Sequence, residues 1–198
     1  MGKESALLMK KKAVVVHSGG MDSSLCLALA IQEFGAPNVL SLSFTYNQRH
    51  SIELKRASEI SKHFNVDHTE LDLSCLSKIT ESALIGNSQK IEHKKGEAPN
   101  TLVVGRNGLM ARIAAIHANS LGAKCIYMGV MELEEANSGY RDCSRAYMDI
   151  IQSALRMDFA DPSFEIRTPL VKMTKKETME VGLKLGVIEY LLENTITC

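Results

Sequence analysis

Seven residues, Ser18-Gly19-Gly20-Met21-Asp22-Ser23-Ser24, hold the densest set of chemically useful groups in the chain. Gly19 and Gly20 lack a Cβ, so the backbone there can take left-handed conformations and approach an anion closely. Successive N–H groups at a helix start then point at that anion, helped by the positive end of the helix dipole. Ser18, Ser23 and Ser24 add hydroxyl donors. Asp22 would repel a phosphate directly, so it either caps the helix or meets a Mg²⁺ that bridges phosphate oxygens. The same residue types serve as ordinary turn and cap residues elsewhere, but six informative positions in one turn favour a phosphate site. The Walker pattern needs Lys-Ser/Thr after its last Gly, and the dinucleotide fingerprint needs Gly-x-Gly-x-x-Gly; this stretch has neither.

Three further polar clusters carry polar and charged groups: Asn47-Gln48-Arg49-His50, Gly105-Arg106-Asn107 and the run from Glu132 to Cys143. The elements between them should bring them together. Ala13 to Val16 reads as a strand running into the glycine turn, and Leu25 to Ala36 as the helix after it. Alternating Leu40, Leu42 and Phe44 predict a strand over Val39 to Tyr46. Ser51 to Phe64 is helical, with Ile52, Leu54, Ala57, Ile60, Ser61 and Phe64 near one face. A strand follows over His68 to Leu73, then a long weakly patterned loop ending at Asn107. A helix runs from Gly108 to Leu121 with Leu109, Ile113, Ile116 and Leu121 as its core face, and Gly122 closes it. Strands over Ala123 to Met131 and Phe164 to Thr168 flank a helix over Ser144 to Phe159. Thr174 and Glu177 form a capping box at the start of a helix from Lys175 to Leu185. Strands alternating with helices give an α/β fold with a doubly wound parallel sheet. In such a sheet, loops at the carboxyl ends of the strands face one ligand crevice.

The 198 residues carry 23 basic and 23 acidic side chains, a formal net charge of zero. No excess positive field is present to hold a nucleic-acid backbone. No apolar run reaches the ~18 residues of a membrane span, and the N-terminus lacks a secretory segment, so the chain reads as cytoplasmic. Met1 to Lys12 is a polar leader whose Lys10-Lys11-Lys12 run is a solvated approach to the first strand. Five scattered cysteines argue against a disulfide framework. Cys26 and Cys125 lie in apolar segments and read as buried packing residues, and His117 reads as a packing residue rather than a ligand. Packing does not explain Cys198, the last residue.

The Ser18 to Ser24 loop resembles the SGGxDS loop of the ATP pyrophosphatases, the PP-loop superfamily, which cleave ATP between the α and β phosphates and adenylate a substrate oxygen. In order along the chain, YNQRH, PNTLVVGRN, GV-ME, SGYRDC, TPLVKMTKKET and TITC resemble the 7-cyano-7-deazaguanine synthase family of queuosine biosynthesis, over Ala13 to Cys198. The resemblance implies an adenine nucleotide alpha hydrolase-like, Rossmann-like domain over residues 13–186. Residues 187–198 would start a C-terminal zinc-binding tail that is cut short. It further implies that Ser18, Gly19, Gly20, Asp22, Ser23 and Ser24 hold ATP and Mg²⁺. Tyr46 and Gln48 would lie on the substrate, with Arg49 and His50 beside the reacting carboxylate and pyrophosphate. Gly105, Arg106, Asn107, Glu132, Ser138, Gly139 and Tyr140 would shape the deazaguanine pocket, Tyr140 by stacking. Lys175 would approach the phosphates.

The family reaction turns a carboxylate at position 7 of deazaguanine into a nitrile with ATP and ammonia, through an adenylated acid and an amide. It requires no nucleophilic side chain. Val104 and Arg141 stand where family members usually carry Pro, and the Glu132 to Ser138 loop is longer than usual. Cys198 matches the first of four zinc ligands whose other three follow it in the family. One cysteine cannot make a structural zinc site, so the chain is expected either to be a fragment or to dispense with zinc. The partners implied are small molecules and a second copy of the chain, a homodimer, with no direct nucleic acid and no membrane. Two alternatives stay open: another ATP pyrophosphatase, either an amide-forming ligase or a tRNA sulfurtransferase for which Cys143 is the one candidate thiol near the crevice, and a non-enzymatic adenine-nucleotide sensor.

Overall fold

The computed structural model describes residues 10–45, 51–78, 103–132 and 140–196. Five parallel strands lie in the order β3-β2-β1-β4-β5: β1 (Ala13–Val16), β2 (Val39–Thr45), β3 (Asp67–Asp72), β4 (Cys125–Met128) and β5 (Glu165–Arg167). The helices are α1 (Met21–Phe34), α2 (Ser51–His63), α3 (Arg106–Ser120), α4 (Arg145–Asp158), α5 (Lys175–Lys184) and α6 (Ile188–Asn194). The central strands are near-continuous apolar runs because both of their faces are covered. Alternate residues of β1 and β4 serve two separate cores. Val14, Ile126 and Met128 meet α3 and α4 on one face. Val15, Cys125 and Tyr127 meet α1, α2 and α6 on the other.

Cys26 and Cys125 are buried, as their apolar neighbours predict. Several other expectations are corrected. Of the expected core face of α3, Leu121 is buried and Ile113 packs against the core, but Leu109 and Ile116 are 37% and 56% exposed, and Met110, Ala111, Ala114, Ala115 and Ala118 are buried instead. Alanines at helical spacing let the helix axis approach the sheet, and Leu109 and Ile116 are left on the outer side. Ile52, expected in the core, is exposed. Lys11 is not solvated: it is buried, and its Nζ donates to Pro37 O at 2.8 Å and Asp67 Oδ2 at 2.6 Å, tying the entry to β1 to the starts of β2 and β3. The chain after Gly186 forms α6, and its Ile188 and Leu191 are buried in the same core as α1.

The edge strand β5 is closed by α4. Arg156 Nε donates to Phe164 O, Gln152 Oε1 accepts from Ile166 N, and an Arg145 guanidinium N–H donates to Ile166 O. These side chains occupy the backbone groups that would otherwise recruit another strand.

Candidate active site

β1 has β2 on one side and β4 on the other, so the chain leaves β1 and β4 in diverging directions. This is the switch point at which an open parallel sheet opens a crevice at its carboxyl edge. A cavity of about 430 Å³ occupies it, walled by Ser18, Gly20, Asp22 and Ser23 after β1, Gly129 and Val130 after β4, Arg106 and Asn107 from α3, and Lys175 from α5. The larger groove of about 850 Å³ lies along β5, and its Arg145, Arg156 and Arg167 are committed to backbone carbonyls and to Glu33 and Glu165. The smaller cavity carries the sequence-predicted phosphate loop.

Three helix starts meet there: Met21 of α1, Arg106 of α3 and Lys175 of α5. The N-cap of α1 is Gly20, with no side-chain cap, and the first intrahelical bond runs from Ser24 N to Gly20 O at 3.0 Å. The amides of Met21, Asp22 and Ser23 thus have no intrahelical acceptor. The loop before them is held by its own hydroxyls. Ser18 N donates to Ser23 Oγ at 3.1 Å, Ser23 Oγ donates to Gly20 O at 3.0 Å, and the Ser18 and Ser23 hydroxyls lie 3.1 Å apart. Gly19 has φ +81°, and a Cβ there would lie 2.3 Å from Glu53 O of α2. Its lack of a side chain therefore serves contact with α2 before contact with a ligand.

Asp22 does not cap α1. It lies in the first turn, its Oδ2 is 4.0 Å from Lys175 Nζ, and its Oδ1 is buried with no hydrogen-bond partner among the described residues. Burial raises the Asp22 pKa, and Lys175 opposes that rise. A buried carboxylate oxygen beside two hydroxyls and open amides fits a Mg²⁺ carried in by phosphates, since that ion is held by one or two carboxylates plus the nucleotide. Among the described residues no three His, Cys, Asp or Glu side chains gather to hold a metal by themselves.

Ser24 is turned away from the cavity. Its Oγ donates to Gly20 O at 2.8 Å and lies 3.0 Å from His17 Nε2. A hydroxyl has one proton, so His17 Nε2 is the donor to Ser24, and His17 Nδ1 accepts from Ser41 Oγ at 3.0 Å. Ser61 Oγ, which donates to Ala57 O at 2.7 Å, lies 2.9 Å from Ser41 Oγ, and His68 Nδ1 lies 2.9 Å from Ser41 Oγ. His17 is 1% exposed, and burial, with His68 nearby, lowers its pKa to about 3. This neutral network braces the phosphate loop from behind. Nothing local in the sequence points to it, because its hydrogen-bonded pairs lie up to 44 residues apart.

Gly105, at φ +73°, starts α3. Asn107 N donates to Asp142 Oδ2 at 2.9 Å, and Asn107 Nδ2 donates to Cys143 Sγ at 3.2 Å. Asp142, not singled out in the sequence, is buried and substitutes for the missing cap. Burial, with Asp142 beside it, pushes the Cys143 thiol up to about 11, far from a reactive thiolate. Glu132 accepts from Arg145 N at 3.1 Å and so serves the start of α4 rather than the cavity wall. Tyr140 is half-buried and is not part of that wall. Gly129, also missed, is required where β4 ends: a Cβ there would lie 2.7 Å from Ser23 N. Lys175 lies at the cavity, though α6 follows its helix. Tyr46, Gln48, Arg49, His50, Ser138, Gly139 and Cys198 lie outside the described residues.

Solved structures share this architecture. An NMN synthetase from Francisella tularensis is 20% identical with a TM-score of 0.53, over 95% of this chain and 67% of that one. A 4-thiouridine synthetase in complex with RNA and ATP is 20% identical with a TM-score of 0.56, over 94% and 44%. An NH3-dependent NAD synthetase from Campylobacter jejuni is 16% identical with a TM-score of 0.56, over 93% and 68%. At these identities the likeness concerns the fold alone, an α/β parallel sheet. No helix among the described residues is long and apolar enough to cross a membrane. The family described as Queuosine biosynthesis protein QueC matches residues 12–198, nearly the whole chain, and the chain belongs to that family.

Proposed function

We propose that the chain is a carbon–nitrogen ligase that converts 7-carboxy-7-deazaguanine and ammonia into 7-cyano-7-deazaguanine at the expense of ATP. The observation that carries this reading is the convergence of three helix starts and the partnerless Asp22 oxygen on one cavity at the switch point. A carboxylate is a poor electrophile. Its oxygen attacks the α phosphorus of ATP, pyrophosphate leaves, and ammonia displaces AMP to give the amide. The amide oxygen then attacks a second ATP in the same way, and loss of AMP and two protons leaves the nitrile. Both rounds place a growing negative charge where the Met21, Asp22 and Ser23 amides and Lys175 point. Mg²⁺, when bound, neutralises charge on the phosphates; Asp22 would hold it, with Ser18 and Ser23 beside it.

Arg106 and Asn107 would face the heterocycle, and Arg49 and His50 the leaving pyrophosphate. Cys198 would be a zinc ligand. The partners are small molecules, with a second copy of the chain as a homodimer, and the zero net charge gives no field for direct nucleic-acid contact. The raised Cys143 pKa weighs against sulfur transfer. Incubation with ATP, Mg²⁺, ammonium and 7-carboxy-7-deazaguanine should release pyrophosphate and yield the nitrile by mass. Asp22→Ala should lose turnover without loss of Tm. Amide as the final product would reassign the enzyme to an amide-forming ligase, and ATP binding without pyrophosphate release would leave a nucleotide sensor.

A further inference from the structure

The chain crosses the phosphate loop a second time, near its far end. After α6, Ile196 N donates to Gly19 O at 3.3 Å, and Ile196 lines the cavity. The segment is firmly tethered. Thr195 N and Thr195 Oγ1 both donate to Leu191 O, at 2.9 and 2.6 Å, and Leu191 is fully buried. Tyr190 stacks on His63 of α2 with ring centroids 3.6 Å apart and planes 10° apart, and it meets Phe64 edge-on. The backbone of α2 at Glu53 and Ala57 abuts Gly19 directly. Gly19 is thus contacted both by α2 and by a strap that α2 itself anchors.

A trans peptide is planar, so the Gly19 carbonyl and the Gly20 N–H point in opposite directions. Fixing the carbonyl fixes the amide. Both residues are glycines, so the peptide between them has little intrinsic reason to hold one orientation. The Ser18 hydroxyl is a weak restraint, since Gly20 N reaches it at 3.4 Å. We propose that Ile196 is a positioning residue for nucleotide binding: its backbone N–H holds the Gly19–Gly20 peptide in the orientation that presents the loop to the phosphates of ATP. The inference rests on the ATP-using reading of this cavity.

The variant that removes the donor is Ile196→Pro. Thr195 has φ −92° and ψ 158°, the extended conformation that a residue before proline requires. Calorimetric titration of MgATP into the full chain should show binding weakened by about five-fold, the worth of one net hydrogen bond, with Tm little changed. The KM for ATP should rise by a similar factor with kcat retained. Ile196→Val keeps the donor and should recover most of the loss. If Ile196→Pro fails to fold, Tyr190→Ala provides the test: releasing the strap from His63 should also weaken MgATP. MgATP binding equal to the parent in Ile196→Pro, or in Tyr190→Ala where that variant stands in, overturns the proposal. A parent chain that binds no MgATP overturns the reading of the site itself, which separates the two failures.

Discussion

Burying His17 as a neutral ring makes stability depend on pH in a way one substitution can isolate. Its pKa falls to about 3 in the folded chain, by burial first and by His68 second, against an ordinary value of 6.5. The unfolded chain therefore binds more protons than the folded one between those values, and stability rises with pH there. The contribution is whole above 6.5 and is lost as pH falls towards 3. At about pH 5 the unfolded imidazole is favoured by about 1.5 pK units of protonation that the folded ring cannot match, a loss of about 2 kcal/mol. His17→Gln keeps an amide donor and acceptor for Ser24 and Ser41 but does not titrate. Urea unfolding of both proteins at about pH 7.5 and about pH 5 should show the parent losing about 2 kcal/mol more than the variant. His68 remains in both, and its pKa is also lowered, by burial, against the pull of Glu70. Its own contribution is common to the two proteins and drops out of the difference. Equal pH dependence in the two proteins would refute the neutral, buried ring.

Gly129→Ala places a Cβ 2.7 Å from Ser23 N and 2.9 Å from Asp22 C, backbone atoms that cannot yield singly. Thermal unfolding should show a loss of about 1–3 kcal/mol, accompanied by weaker MgATP binding; an unchanged variant would mean that β4 and α1 separate freely. Lys175→Ala removes a side chain that is 70% exposed, so Tm should hold while MgATP titration shows weaker binding, and unaltered binding would remove Lys175 from the site.

The alternation of elements was legible because the apolar segments are bounded by turn residues on both sides. Each predicted strand appears in the structure within a few residues of its expected range. The inner face of α3 is legible only in part. Leu121 and Ile113 meet the core, whereas Leu109 and Ile116 outrank alanine in hydrophobicity but lie outside, because burial depends on how close a helix must come and Ala111, Ala114 and Ala118 allow the closer approach. α6 escaped notice because seven residues with two buried apolar positions carry too little periodicity. At the site, Ser18, Gly20, Asp22 and Ser23 stand out from the local motif, Arg106 and Asn107 from a polar cluster, and Lys175 only from the family resemblance; all line the cavity. The Ser24 hydroxyl turns to Gly20 O and His17, a direction that the sequence does not encode. His17, Gly129 and Asp142 were silent for a common reason. Each acts through a partner more than six residues away, so no local spacing encodes it.

Lys175 and Lys176 occupy the first turn of α5, where the helix dipole disfavours cations by about 0.3–1 kcal/mol each. Stability alone would not put them there. The same turn carries a full capping box: Glu177 N donates to Thr174 Oγ1 at 3.2 Å, and Thr174 N donates to Glu177 Oε2 at 2.7 Å. A cap contributes about 1 kcal/mol, enough to offset much of that cost. The Thr174 and Glu177 contacts hold the Glu177 pKa below the usual carboxylate range, so the box persists at neutral pH. A helix start that is unfavourably charged and then repaired beside Asp22 makes sense if the cation serves a ligand. Placed on the cavity wall, Lys175 supplies positive charge where the chain as a whole has none to spare.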